Sequence, residues 1–323
     1  MTWHAAGLRR LDGIIWMLVA GTAGIVLLAA AFNGFTLVVT SFIAPGATCL
    51  LLVAASRYYA ARRGEPHLAS ALQSTAQVMA FAAVAAPLSY VAAAAALPLC
   101  DAAFDNMDQA LGFDWNGLLA LMQRWPDLHT IMRAIYLSLT VQMTAVALLL
   151  GFSGRLAWLR VYMLAFIFAA LVTIALSAIA PAEGVWLHQG LKAADPALLP
   201  ASHTSWPVFL GLRDGSYRAL MAIGAEGIIT FPSLHAALAV ILMAAFWPVP
   251  LVRWLGAGLN MLMLAATPID GSHYFIDVFA GIAIAIVCLL AARALVARLA
   301  AHPAPAKATV DTIAVQGMPA TSR

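Results

Sequence analysis

The stretch FIDVFAGIAIAIVCLLAARALVARL, residues 275–299, decides the fold class, because only three of its 25 side chains are charged. An α-helix needs about 20 predominantly apolar residues to cross the hydrocarbon core of a bilayer. Seven similar segments lie upstream, so the expected spans are residues 14–32, 37–56, 69–99, 130–152, 161–180, 228–246, 251–268 and 275–299. The sequence therefore predicts an all-α polytopic membrane helical bundle of about eight transmembrane spans.

The composition supports this class and excludes others. The chain is 63% hydrophobic and only 10% charged, whereas soluble domains are usually about 25% charged. A net charge of +3, scattered along the chain, argues against nucleic-acid binding. The three cysteines, Cys49, Cys100 and Cys288, lie far apart and match no metal-ligand spacing. We therefore expect membrane lipids as surroundings, and neither a metal nor a cofactor.

The apolar segments form one expected integral membrane domain over residues 1–300, with residues 301–323 as a disordered cytoplasmic tail rich in Ala, Pro and Thr. The first segment follows Arg9 and Arg10 and ends near three alanines, as a cleaved signal peptide does. Its apolar run is longer than the usual signal-peptide core of about 7–15 residues. We therefore expect an uncleaved anchor.

Charged residues predict the orientation, because Lys and Arg collect on the cytoplasmic side of membrane proteins. With the N-terminus inside and eight spans, 12 of the 17 basic residues lie inside and 11 of the 14 acidic residues lie outside. The expected location is a bacterial inner or plasma membrane. The first of two long outer segments, residues 101–129, has the pattern of a helix in the membrane interface or of a simple amphipathic linker. The second comprises residues 181–227.

The sequence GSHYFID, residues 271–277, opens the eighth span and carries ionisable groups where they are costly. His273 and Asp277 are four residues apart, so in a helix they share one face. The carboxylate can then hold one imidazole nitrogen and leave the other as a nucleophile or base. The alternative is a structural pair that stabilises the start of a helix.

The sequence FPSLH, residues 231–235, opens the sixth span. Pro232 suits the first turn of a helix, and the free N–H groups that follow favour an anion. Ser233 adds a hydroxyl donor and His235 lies in the same turn. The alternative is a capped helix with an incidental histidine.

Taken together, the two clusters are more specific than either alone, because the expected topology places both on the outer face, one helical hairpin apart. Arg213 and Arg218, just upstream, are candidates to clamp an oxyanion. A nucleophilic histidine, a proton-donating histidine and an anion site are the parts required for phosphoryl transfer through a phosphohistidine. Tyr136 and Arg133 open the fourth span on the outer side. Arg133 is interpreted as a membrane-interface anchor, with a position at the active site as the alternative, and Asp270 as a cap or a neighbour that tunes His273.

Residues 231–235 and 271–281 resemble the second and third signature motifs of the type 2 phosphatidic acid phosphatase superfamily, which also includes vanadium haloperoxidases. The residues of these two motifs are most similar to those of the inositol-phosphorylceramide-synthase-like, or inositolphosphotransferase, branch. The resemblance implies a six-helix core, here within residues 130–300. It also implies His273 as nucleophile with Asp277 as its orienting partner, His235 as proton donor and Ser233 as phosphate ligand.

Two departures from the family pattern bear on the expected activity. The usual first motif, a Lys and an Arg-Pro seven residues apart, is absent, and Arg213 and Arg218 are substitutes by location only. The Arg that normally precedes the nucleophilic histidine by six residues is replaced by Thr267. The latter departure is compatible with the synthase-like branch and weakens the case for an ordinary lipid-phosphate phosphatase.

The expected function is that of an integral membrane phosphatase or phosphotransferase acting on a phosphorylated lipid at the outer membrane face. Two other classes are considered. A haloperoxidase would bind vanadate at His273, although the many spans argue against it. A transporter or non-catalytic scaffold would use its histidines for proton relay or packing, although such residues usually lie in the middle of a span rather than at its end.

Overall fold

The computed structural model describes residues 5–191, 201–223 and 227–301. Within them the chain is almost entirely helical. The helices are α1 Ala5–Phe32, α2 Thr40–Tyr58, α3 Pro66–Ala93, α4 Asp101–Ala110, α5 Trp115–Arg124, α6 Pro126–Leu137, α7 Leu139–Phe152, α8 Leu156–Ile179, α9 Val185–His188, α10 Ala201–Asp214, α11 Leu234–Phe246, α12 Arg253–Asp270 and α13 Phe275–Ala301. A π-helical turn, Tyr59–Arg63, extends α2, and β1 Thr36–Leu37 pairs in parallel with β2 Ala219–Leu220. The expected tail lies outside the described residues, apart from Ala301 at the end of α13.

Five of the described helices are long and apolar enough to cross a bilayer, namely α1, α2 with its π-helical turn, α3, α8 and α13. Helices α6 and α7 meet at an angle of 47° and make a sixth candidate if they form one broken span. This confirms an all-α polytopic membrane bundle. The sixth and seventh expected spans correspond to α11 and α12, which have 13 and 18 residues. Helix α11 is shorter than expected because the backbone before Leu234 is not helical.

Helix α8 lies at the centre of the bundle and packs against α1, α3, α7, α11 and α13. Its side chains, from Leu159 to Ile174, are mostly buried and form one continuous apolar core with these neighbours. Small residues allow close approach between helices, as is usual in membranes. At Gly151 of α7, an added Cβ would lie 2.6 Å from the Ala71 Cβ of α3.

The segment expected at the membrane interface forms α4 and α5, and it packs on the end of the bundle where α12 and α13 meet. Four of its apolar side chains, Phe104, Trp115, Leu119 and Met122, are buried there, whereas Met107 and Leu111 are exposed. The Trp115 indole donates a hydrogen bond to the Pro268 carbonyl oxygen at 3.1 Å. The segment therefore covers the end of the bundle that carries the two histidine motifs.

Candidate active site

The structure brings the two histidine motifs into direct contact. The Ser233 hydroxyl oxygen lies 3.2 Å from His273 Nε2, and the Ser233 amide donates to the Asp277 carbonyl oxygen at 3.1 Å. Gly281 permits this contact, because an added Cβ would lie 2.4 Å from the Ser233 carbonyl oxygen. The start of α11 can therefore pack against the first turns of α13 only with glycine at this position.

His273 and Asp277 form a buried pair at the start of α13. His273 Nδ1 lies 3.2 Å from Asp277 Oδ2, and the same oxygen accepts the Tyr274 amide at 2.9 Å. Their exposed fractions are 3% and 0%. When the Nδ1–H group donates a hydrogen bond to the carboxylate, His273 Nε2 keeps a lone pair that faces Ser233. This is the arrangement required of an oriented nucleophile or base.

Ser233 is the N-cap of α11, and its hydroxyl oxygen accepts the Ala236 amide at 3.2 Å. The expectation that Pro232 occupies the first helical turn is wrong, because α11 begins at Leu234 and the Phe231–Pro232 peptide bond before it is cis. One of the helix N–H groups expected to face an anion is therefore bonded to Ser233. The hydroxyl itself faces His273 and is fully buried.

Tyr136 of α6 contacts His235, the second histidine. The two rings stack with centroids 4.1 Å apart and planes 13° from parallel, and the Tyr136 hydroxyl lies 3.2 Å from His235 Nδ1. Tyr136 also borders His273, because a Cβ added at Gly271 would lie 2.8 Å from the Tyr136 hydroxyl and 2.5 Å from His273 Cδ2. The contact fixes the ring of His235, a role that the position of Tyr136 at the start of the expected fourth span does not indicate.

Asp101 and Asp108 of α4 fix the loop that carries His273. The Asp108 carboxylate accepts the Phe275 and Ile276 amides at 2.6 and 2.9 Å and so caps α13. Burial raises the pKa of Asp108, and these two hydrogen bonds partly oppose the shift. Asp101 accepts the Tyr274 hydroxyl and the Gly184 amide, both at 3.0 Å. Burial, and then the Asp101 charge, raise the pKa of Tyr274.

These two acids could have been identified from the sequence. Asp101, Phe104 and Asp108 have the spacing i, i+3 and i+7 of one helical face, and the structure buries all three. The apolar residues of the segment alone do not indicate this role. In contrast, nothing in the sequence spacing links Tyr136 to His235, 99 residues away.

A cavity of about 240 Å³ opens beside the motifs. It is lined by Tyr136, His235 and His273, together with apolar and polar residues that include Glu183, Trp186, Trp206 and Phe209. Gly227, at the edge of the described residues, also lines it. Both histidines therefore face one space that combines polar groups with aromatic walls.

The structure does not bring Arg213 and Arg218 to this cavity. Arg213 donates to the Leu97 carbonyl oxygen at 2.8 Å and lies over the Phe209 ring. Arg218 donates to the Leu212 carbonyl oxygen at 2.6 Å and lies over the Phe35 ring. Both guanidinium groups thus stabilise the segment around α10 and β2, and their expected role as an oxyanion clamp has no support in this arrangement.

A second buried histidine–aspartate pair lies between α6 and α12. His129 Nε2 is 3.2 Å from Asp270 Oδ1, and Arg133 interacts electrostatically with the same carboxylate. The sequence suggests Asp270 as a cap or as a neighbour of His273, whereas the histidine that it contacts is His129. Thr267, where the family pattern has an arginine, is fully buried and donates to the Met263 carbonyl oxygen. Thr267 is neutral, so it does not replace the positive charge of that arginine.

Burial lowers the pKa of His273 to about 4, and a hydrogen bond to the Thr230 backbone partly opposes this shift. His273 lies between α12 and α13 and belongs to neither helix. A depressed pKa keeps the imidazole neutral at neutral pH, which is the protonation state that a nucleophilic histidine requires.

Comparison with known proteins agrees with the motifs. The family model of the PAP2 superfamily matches residues 102–291, which is more than half of the 323-residue chain. The match includes Asp108 of α4, Tyr136 and both histidine motifs. No curated protein and no solved structure gives a significant match. On the extent of the family match, together with the two motifs that the fold brings into contact, the chain belongs to the PAP2 superfamily.

Proposed function

We propose that this protein is an integral membrane phosphatase or phosphotransferase that acts on a phosphorylated lipid through a phosphohistidine on His273. The observation that carries the proposal is the position of His273, whose Nδ1 pairs with Asp277 while its Nε2 faces Ser233 beside a cavity shared with His235. Membership of the superfamily and the apolar helices support a membrane enzyme of this class.

In the first step, the His273 Nε2 lone pair forms a bond to phosphorus, and the bond from phosphorus to the lipid oxygen breaks. His235 acts as an imidazolium, with the phosphate charge offsetting its own, and transfers a proton to the leaving oxygen. Its Nδ1 is held by Tyr136, which orients the ring. Asp277 stabilises the positive charge that develops on His273.

In the second step, an oxygen nucleophile attacks phosphorus and the phosphorus–nitrogen bond breaks. His235, now neutral, takes the proton of the incoming nucleophile, so both histidines return to their initial states. Water gives hydrolysis, and a lipid or polyol alcohol gives transfer of the phosphoryl-bearing group. The residues of the two motifs resemble the synthase-like branch, and Thr267 is compatible with it, so we propose transfer to an alcohol as the main reaction.

The test is a lipid-extract assay with the purified full-length protein, in which phosphate release and headgroup exchange are measured separately. Exchange that exceeds release, and that is lost in a His273→Ala variant, supports a transferase. Release without exchange assigns a phosphatase. Neither reaction above that of the variant would contradict the proposed enzyme.

The pH dependence of the first step follows from the buried position of His273. Protonation removes the Nε2 lone pair, so phosphoryl transfer to His273 should be lost as the pH falls through about 4. We expect single-turnover rates to show an acid limb with its midpoint near that value. An acid limb near the ordinary histidine pKa of about 6.5 would contradict a nucleophile desolvated in this way.

We further propose that the active site faces outside, as the charge distribution indicates. Single cysteines at Ser216, beside α10, and at Glu65, between α2 and α3, are exposed positions on the two expected sides. In intact cells, with the three natural cysteines replaced, an impermeant thiol reagent should label position 216 and spare position 65. The reverse pattern would invert the topology.

A further inference from the structure

A second cavity lies away from the two histidine motifs, between α1, α2, α3 and the start of α8. It encloses about 840 Å³ and is lined by Arg9, Arg57 and Arg160 with a single acid, Asp12. These four side chains carry a net charge of two positive units. The cavity therefore has the electrostatic character of an anion site.

Arg160 is built into the wall of this cavity. Its side chain is only 2% exposed, and Nη2 donates to Asp12 Oδ2 at 2.8 Å. Its Nε and Nη1 atoms have no hydrogen-bond partner among the residues that the structure describes. Buried guanidinium donors without partners are costly. A bound anion would satisfy these donors and offset the excess positive charge.

The remaining walls indicate that the anion belongs to a lipid. Leu8, Trp16, Leu50 and Val53 line the same cavity, and Leu50 is 73% exposed on the outer surface of α2. Helix α2 is the least buried of the span candidates, so this side of the cavity opens towards the surrounding acyl chains. An amphipathic ligand fits such walls better than a free ion does.

The position along α8 separates this cavity from the catalytic one. Arg160 lies in the first turns of α8, whereas Glu183 of the catalytic cavity follows its end at Ile179. At about 1.5 Å per residue, Arg160 and Ile179 are roughly 29 Å apart, close to the hydrocarbon thickness of a bilayer, about 30 Å. The two cavities therefore open at opposite membrane faces.

From these features we infer that the cavity around Arg160 binds the phosphate headgroup of an anionic lipid from the leaflet opposite the active site. Arg160 holds the phosphate, while Arg9 and Arg57 at the exposed mouth add charge. The acyl chains lie along α2. This binding requires no turnover, so it stands independently of the proposed reaction.

Native mass spectrometry of the purified full-length protein can test the inference with phosphatidylglycerol and phosphatidylcholine of identical chains. We expect wild-type protein to bind phosphatidylglycerol about tenfold more tightly, a difference of ~1.4 kcal/mol. Arg57→Gln should reduce this preference several-fold. The double variant Asp12→Asn/Arg160→Gln, which removes both charges of the buried pair, should abolish it.

Arg10→Gln is the matched control, because Arg10 is exposed beside Arg9 but does not line the cavity. It should bind both lipids as wild type does. Equal affinity of wild type for the two lipids, or equal losses in Arg57→Gln and Arg10→Gln, would overturn the inference. Displacement of phosphatidylglycerol by excess inorganic phosphate would assign the cavity to a soluble anion instead. If the double variant does not fold, Arg57→Gln against Arg10→Gln still decides.

Discussion

Replacing His273 with alanine should abolish turnover of every phosphoester, because no covalent intermediate can form without its Nε2 lone pair. The expected loss is on the order of 10⁶-fold, as for a removed nucleophile in other covalent enzymes. Asp277→Asn should lose less, roughly 10²–10⁴-fold, because the nucleophile remains while its tautomer is no longer fixed. Single-turnover rates on a lipid phosphate and on p-nitrophenyl phosphate measure both.

His67→Ala is the matched control for these substitutions, because His67 is exposed at the start of α3 and lines neither cavity. It should retain wild-type activity. Residual turnover of His273→Ala within tenfold of wild type, in protein with unchanged thermal stability, would assign the nucleophile to another residue.

Replacing His235 with alanine should impair the reaction in proportion to the basicity of the leaving group. A lipid alkoxide needs a proton, so its release should slow by about 10²–10⁴-fold. The p-nitrophenolate anion needs little assistance, so most of its first-step rate should survive. Measuring formation of the phosphoenzyme in a single turnover avoids the complication that the second step becomes limiting.

Equal losses on both substrates would contradict the role of His235 as general acid. His235 would then bind phosphate or support the structure. Tyr136→Phe tests the same role with a milder change, because it keeps the stacked ring and removes only the hydroxyl bonded to His235 Nδ1. We expect it to reproduce the leaving-group dependence at smaller magnitude.

The contact between Ser233 and His273 raises a mechanistic rival. Ser233 Oγ, His273 Nε2, His273 Nδ1 and Asp277 are connected in the order of a serine–histidine–aspartate triad. In that reading, Ser233 attacks phosphorus and His273 is only its base. Against it, the Ser233 oxygen caps α11 and is fully buried, whereas His273 lines the cavity.

The sequence predicts the membrane bundle well, because long apolar runs form few structures other than membrane-spanning helices. The superfamily can also be predicted from its motifs. Residues 231–235 and 271–281 place ionisable and hydroxyl side chains at the ends of spans, where such groups are rare. Shorter elements are less predictable. Helix α11 begins only at Leu234, after the non-helical N-cap Ser233, and the bend between α6 and α7 divides residues 130–152, which the apolar run predicts as one span.

The long-range contacts of the site lie beyond sequence reasoning for a different reason. Arg213 and Arg218 are close in sequence to the motifs, yet both donate to nearby backbone carbonyl oxygens. Asp101, Asp108 and Tyr136 are distant in sequence, and tertiary packing brings them to the histidines. Proximity along the chain is therefore a poor guide to which polar residues complete this site.

The most direct test of the account is to locate the phosphoryl group in the trapped intermediate. The protein is mixed with a lipid phosphate, quenched in alkali and digested, and the modified peptide is sequenced by mass spectrometry. We predict an alkali-stable, acid-labile phosphate on His273, at Nε2. An acid-stable phosphate on Ser233 would contradict the account and establish the triad reading instead.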